Sequence, residues 1–146
     1  MGLRAADHNH SKEQRCIMVE PGDLAETIQA TRPMVPAKDF GISKQFYCDL
    51  GFEPRMLTDE LAEMSLGVCS FLLQNYYVRD WADNFVIHLY VSNLRPWWDR
   101  IVAADLATRY QVKTRAPYRA DWGATVAHLI DPAGVLWWLH ETQSAP

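Results

Sequence analysis

The sequence is short of the residues that build several whole classes of protein. Its 146 residues include three cysteines, Cys16, Cys48 and Cys69, an odd number with neither CxxC nor CxxH spacing. This argues against a disulfide framework or a thiolate zinc site and leaves buried free thiols as the expectation. No apolar stretch approaches the roughly 20 residues that a bilayer-spanning helix needs; "FVIHLYV" (85–91) is typical of the longest, and no membrane partner is expected. Basic runs are missing too, with 14 Lys and Arg against 18 Asp and Glu and a formal charge of -4, so a nucleic-acid partner is not expected. The start, "MGLRAADHNHSKEQRC", is polar and lacks a signal-peptide core; a cytoplasmic protein is the expectation. GxSxG, a phosphate-cradling glycine loop and HExxH do not occur, and Ser43, Ser65, Ser70 and Cys69 have no recognisable neighbouring base, so no nucleophile stands out.

What is present suits one well-buried core: 49% of the chain is apolar, enough for a single domain. Residues 1–20 are polar with little periodicity and read as a tail, in which "HNH" (8–10) is at most a loose metal contact. "PGDLAETIQ" (21–29) can form a short helix with Asp23 near its start. We therefore expect a tail and short helix over 1–29, one domain over 30–141, and a tail at 142–146.

Within 30–141 one pattern occurs twice. "ATRPMVPAKD" (30–39) is extended, because two prolines disfavour helix. "FGISKQFYCDL" (40–50) places Ile42, Phe46, Tyr47 and Leu50 at helical spacing before Gly51, and extended segments follow at 52–58, 62–68 and 69–78. After the turn-like "RDWADN" (79–84), "FVIHLYVS" (85–92) is strand-forming. "RPWWDRIVAADLA" (95–107) puts Trp97, Trp98, Ile101, Val102 and Leu106 on one helical side, with Pro96 in the first turn. Strands then fit 111–117, 125–130 and 135–141, and "DPAG" (131–134) supplies a tight hairpin turn. The fold class is α+β, with two βαβββ modules over 30–78 and 84–141. Neither half can bury both faces of a curved four-stranded sheet alone.

"VPAKDFGISKQFYCDLGFEPR" (35–55) and "DWGATVAHLIDPAGVLWWL" (121–139) resemble the opening and closing signatures of the vicinal oxygen chelate superfamily. That resemblance, over about 30–141, implies a cup-shaped mixed sheet with helices on its outer face. It embraces metal enzymes such as glyoxalase I and the extradiol dioxygenases, and also the bleomycin-resistance type, which carries no metal and binds its drug between two chains. In the metal enzymes one ligand stands on each of four strands. The matching positions here are Arg32, Leu72 or Gln74, Val86 and Trp138. Arginine has no acceptor and valine no donor atom, so the resemblance points to the metal-free branch, with neither metal nor cofactor.

If Trp138 faces the cup, strand alternation sends Leu136 and His140 there too and Trp137 into the core. The expected ligand-binding residues are then Arg32 and Met34 on the first strand, Leu72, Gln74 and Tyr76 on the fourth, Val86, His88 and Tyr90 on the fifth, Trp138 and His140 on the last, and Trp122 near the rim. They would form an aromatic hollow for a flat small molecule, with a homodimer expected and Arg32 free to meet an anionic group or an aromatic ring. The alternatives are a lyase, dioxygenase or isomerase using His88 or His140, and an interaction module whose cup is filled by its own side chains.

Overall fold

The computed structural model describes residues 22–142. The chain divides into two compact units, Met1–Thr31 and Arg32–Pro146. The first contributes helix α1, Gly22–Thr27, where a short helix is expected. The "HNH" motif and Cys16 lie outside the described residues.

In the second unit, β1 (Met34–Pro36), α2 (Phe40–Leu50), β2 (Glu53–Thr58), β3 (Leu61–Leu66) and β4 (Cys69–Gln74) form the first module. A helical turn, α3 (Arg79–Ala82), leads to β5 (Val86–Val91), α4 (Arg95–Ala103), α5 (Leu106–Arg109), β6 (Thr114–Arg119), β7 (Thr125–Ile130) and β8 (Leu136–Glu141). Each module makes one four-stranded mixed sheet, ordered β1-β4-β3-β2 and β5-β8-β7-β6. The parallel pairs are β1 with β4 and β5 with β8. The repeat read from the sequence is thus a repeat in topology.

Local chemistry explains the main boundaries. Asp39 is extended and its carboxylate accepts from the Ile42 N–H at 3.0 Å, capping α2. Gly51, at φ 123°, closes the same helix with its N–H on the carbonyls of Tyr47 and Cys48, a backbone conformation that a side chain would strain. The expected helix over 95–107 is interrupted. Asp105 adopts a left-handed φ of 51°, which Asp tolerates better than most residues, and α5 then carries Leu106 into full burial. Val102, expected on the buried side, is exposed. The sixth strand starts at Thr114 and not at 111, because Gln111 also has positive φ. Pro117 is accommodated there by an edge position and a register shift between Arg115 and Tyr118.

The two sheets bury their backs in one shared cluster. Val35, Ala62, Met64, Phe71 and Leu73 from the first module join Ala127, Leu129, Trp137 and Leu139 from the second. Trp137, 1% exposed, packs against Tyr47, Phe52 and Phe71 at centroid distances of 5.8, 5.9 and 5.5 Å, within the range of favourable aromatic pairs. A buried polar chain crosses the same region. The Trp137 indole N–H donates to the Tyr47 oxygen at 2.9 Å, and the Tyr47 hydroxyl donates to Asp131 Oδ2 at 2.6 Å. Asp131 Oδ1 accepts from the N–H groups of Ala133 and Val135. The "DPAG" turn is therefore tied to α2 of the other module. Burial pushes the Asp131 carboxyl up to about 6, against the pull of these hydrogen bonds, and burial followed by Asp131 raises the Tyr47 hydroxyl well above its ordinary value. No helix among the described residues is long and apolar enough to cross a membrane.

Candidate functional site

Because the sheet backs share a core, each sheet turns its front outward. The front of the second sheet is aromatic. The β5–β8 register places His88 beside Trp138 and Tyr90 beside His140, with Val86 beside Leu136; β7 adds His128 on the other side of Trp138. His88 Nδ1 and His140 Nε2 are 3.0 Å apart. The rings of His88, Tyr90, Trp138 and His140 are nearly parallel, mutually inclined by 19° to 28° in the pairs that touch. Trp122, 62% exposed, tilts over Trp138 at 6.0 Å. The Trp138 indole N–H is buried without a hydrogen-bond partner, a state that costs free energy unless something supplies an acceptor.

Two further groups complete this front. The Tyr118 hydroxyl and His128 Nε2 are 3.2 Å apart, and the Arg115 guanidinium lies over the Tyr118 ring at 3.6 Å. Burial first, then Arg115 and His140, lowers the His128 pKa; burial and His88 lower that of His140. Both imidazoles are held towards the uncharged form near neutral pH.

The front of the first sheet is different. Arg32 and Arg55 both pair with Glu63, and hydrogen bonding from Arg55 leads the effects that hold the Glu63 carboxyl below its usual range. The Arg32 charge, expected to be free for a ligand, thus already has a partner. Leu72 is half-buried beside exposed Met34. Met34, Gln74 and Tyr76 meet Pro36, Val78, Trp81 and Phe85 around a mostly apolar hollow of about 340 Å³, at the lower end of small-molecule pocket sizes.

The expected site residues therefore fall into two groups. His88, Tyr90, Trp122, Trp138 and His140 gather on the second front. Met34, Leu72 and Gln74 belong to the first sheet, whereas Arg32 and Tyr76, expected on its first and fourth strands, lie just before β1 and just after β4, and Val86 stands at the start of β5 next to Phe85 of the hollow. Sequence reasoning missed His128, Tyr118 and Arg115. A signal for His128 was available, since the hairpin closed by the Asp131 N–H on the Val135 carbonyl dictates that His128 opposes Trp138. Cys48 and Cys69 are free and half-buried, and burial raises both thiols, as befits inert cysteines.

By sequence, the chain matches no protein-family model and no curated protein. By structure, it is similar to a bleomycin-binding protein complexed with bleomycin (TM-score 0.67, 22% identity, covering 80% of this chain and 100% of the other). It is also similar to a bleomycin resistance determinant encoded on the transposon Tn5 (0.66, 21%, 80% and 100%), and to lactoylglutathione lyase from Agrobacterium tumefaciens (0.56, 16%, 77% and 92%). The chain has the vicinal oxygen chelate fold.

The metal associated with many proteins of the vicinal oxygen chelate fold needs several converging nitrogen or oxygen donors. At the four matching positions this chain has Arg32, Leu72 or Gln74, Val86 and Trp138, of which only a glutamine amide oxygen could serve. His88 and His140 form a pair, but among the described residues no group of three or more His, Cys, Asp or Glu side chains is placed to hold a metal ion. The donor set does not fit the metal.

Proposed function

We propose that this chain is a metal-free, bleomycin-resistance-like binding protein that sequesters a flat or aromatic small molecule in a homodimer, in the cytoplasm. The observation that carries this reading is the front of the second sheet, where near-parallel rings surround a buried indole N–H that has no acceptor. Such a surface supplies stacking area at low rotamer cost, and the indole N–H beneath it is left short of an acceptor. The exposure of the fronts supports the dimer: Tyr90 and Trp122 on the second, and Tyr76 and Trp81 around the hollow, are each more than half exposed, a concentration of aromatic surface typical of binding faces. The front of one chain would be covered by the Met34–Gln74–Tyr76 hollow of the other, with the ligand between them. The structural similarity to bleomycin-binding proteins favours this reading over the lyase-like one.

A native mass spectrum of freshly purified, metal-unsupplemented protein tests it. The expected result is a species at twice 16.8 kDa with no bound metal and with any adduct being organic. A stoichiometric divalent metal would overturn the assignment. The contact between His88 and His140 favours one second reading, a metal-free isomerase with His88 as general base; an unchanged product yield with His88→Ala would remove it.

A further inference from the structure

Arg115 and Tyr118 stand three residues apart on β6, an odd spacing that sends side chains to opposite faces of a regular strand. The register shift between them sets a step of three residues on β6 against a step of two on β7, and this bulge returns both side chains to the aromatic front. There the Arg115 guanidinium lies over the Tyr118 ring at 3.6 Å, while the Tyr118 hydroxyl and His128 Nε2 are 3.2 Å apart. The ring that carries the cation is thus itself held in place. Contact with the ring face leaves the N–H groups around the rim of the guanidinium, a fork suited to a planar anion. Arg115 is exposed, and among the described residues it makes no ion pair, unlike Arg32, Arg55, Arg79, Arg95 and Arg109.

The rest of this front offers it no opposite charge. The front-facing positions of β5, β7 and β8 hold only apolar, aromatic and histidine side chains. Glu141, the one carboxylate on the four strands, lies on the other face and accepts from the Leu94 N–H at 2.7 Å. Asp121, in the turn after β6, forms no ion pair with Arg115. The chain as a whole is acidic, at -4, so this cationic spot runs against the overall charge. In the proposed dimer the front is covered, and a guanidinium covered without an anion loses hydration uncompensated.

We infer that the ligand is an anionic aromatic, a flat ring system bearing a carboxylate or another planar acid on one edge. Its ring would lie against Trp138 and His128, whose rings are 4.7 Å apart, and its acid would meet the Arg115 guanidinium. Trp138 and Arg115 are the cross-strand partners of His128 on either side. Ring and acid are therefore offset by one strand spacing, about 5 Å, which a carboxylate on the edge of a fused two-ring system spans. This rests on the binding function proposed above and narrows it to ligands of one charge.

Calorimetric titration of the full-length protein at pH 7.5 with 2-naphthoate, 2-naphthamide and 2-naphthamidine tests the assignment, since the three share one outline and are anionic, neutral and cationic in turn. The expected result is 2-naphthoate binding at least about tenfold tighter than 2-naphthamide, with 2-naphthamidine the weakest. Attraction by the overall charge of the chain would give the reverse order. Arg115→Gln, at an exposed position on an edge strand, should bring 2-naphthoate to the 2-naphthamide value, whereas Trp138→Ala should weaken all three. Arg100→Gln makes the same change of charge on α4, beside a separate hollow lined by Leu50 and Trp97, and should leave the order intact. Equal affinities in the unmodified protein, or tightest binding of 2-naphthamidine, would overturn the anionic class and leave the binding function standing. A preference for 2-naphthoate that survives Arg115→Gln would overturn the assignment to this arginine, and its loss in Arg100→Gln would place the acid on α4. Absence of saturable binding by all three would overturn both the class and the binding function.

Discussion

Trp137 and Trp138 are chain neighbours of the same type, and the fold gives them opposite work. Trp137 is 1% exposed, touches three aromatic rings and donates its N–H to Tyr47. Replacing such a residue with alanine costs about 3–5 kcal/mol. The upper end applies here, because the surrounding rings are large and rigid and cannot collapse into the space. Against a total stability of roughly 5–15 kcal/mol for a domain, Trp137→Ala leaves little margin. Trp138 is half-buried on the open front, and its indole N–H is buried without an acceptor. Its removal loses part of a transfer term of roughly 1.5–3 kcal/mol but also relieves an unsatisfied donor, worth about 1–3 kcal/mol. The two nearly cancel, so Trp138→Ala should lie within about 1 kcal/mol of the unmodified protein while losing ligand affinity. Urea unfolding followed by far-ultraviolet circular dichroism avoids a tryptophan signal that each variant alters. A loss of stability in Trp138→Ala equal to that in Trp137→Ala would refute the assignment of opposite faces and place both indoles in the core.

Tyr47→Phe removes the donor to Asp131 and the acceptor for Trp137 together; with two buried groups left short at about 1–3 kcal/mol each, the expected loss is about 2–6 kcal/mol in a denaturant series, against about 0.5 kcal/mol or less for exposed Tyr90→Phe. The Asp131 carboxyl is pushed up to about 6, above its unfolded value near 4, so the folded state takes up a proton first and is stabilised by Asp131 as pH falls through 6. The change in stability from pH 7.5 to pH 5 should therefore be more favourable in the unmodified protein than in Asp131→Asn by about 1 kcal/mol, and identical pH slopes would refute it. His128 and His140 work in the other sense: their lowered pKa values give stability that is present above the unfolded value near 6.5 and lost as pH falls through it, which is why the comparison must be made between variants. Gly134→Ala places a side chain at φ 95° and 3.0 Å from Asp83 Oδ1; since the Asp83 side chain is exposed and can move, the backbone strain dominates, and a loss of about 1 kcal/mol or more is expected in thermal unfolding.

The elements legible in the sequence are those whose signals are local. Asp39 and Gly51 bracket α2 because a capping carboxylate and a left-handed closing residue act within one turn. The "DPAG" turn and the alternation of Trp137 and Trp138 likewise needed no distant partner. The break between α4 and α5 was not legible, because nothing in "IVAADLA" forbids a continuous helix; the left-handed Asp105 is a tertiary choice that delivers Leu106 to the core. At the site, alternation identified which side chains share a strand face. It could not show that His88 and His140, 52 residues apart, meet edge to edge, since that register belongs to the parallel pairing of β5 with β8. Nor could it tell that Arg32 would be engaged by Glu63, a residue one strand beyond the neighbour of β1.

The division of the expected residues between two fronts has a geometric cause that bears on how such a protein can hold a ligand. Alternation tells which residues share a front, but the direction a front faces is set by what lies behind it. Here one core, running from Val35 and Phe71 to Trp137 and Leu139, lies behind both sheets, so the two fronts turn away from that core and each needs another body to cover it. In the proposed dimer, that body is the second chain. Its aromatic rim would then be covered partly by ligand and partly by protein, and the same apolar area cannot be credited twice. A molecule held between the chains binds the dimer and not the monomer, so by mass action it strengthens the pairing as the pairing strengthens its own retention. In that proposed arrangement the aromatic front would orient the ligand by stacking, and the closing of one front upon another would supply the affinity.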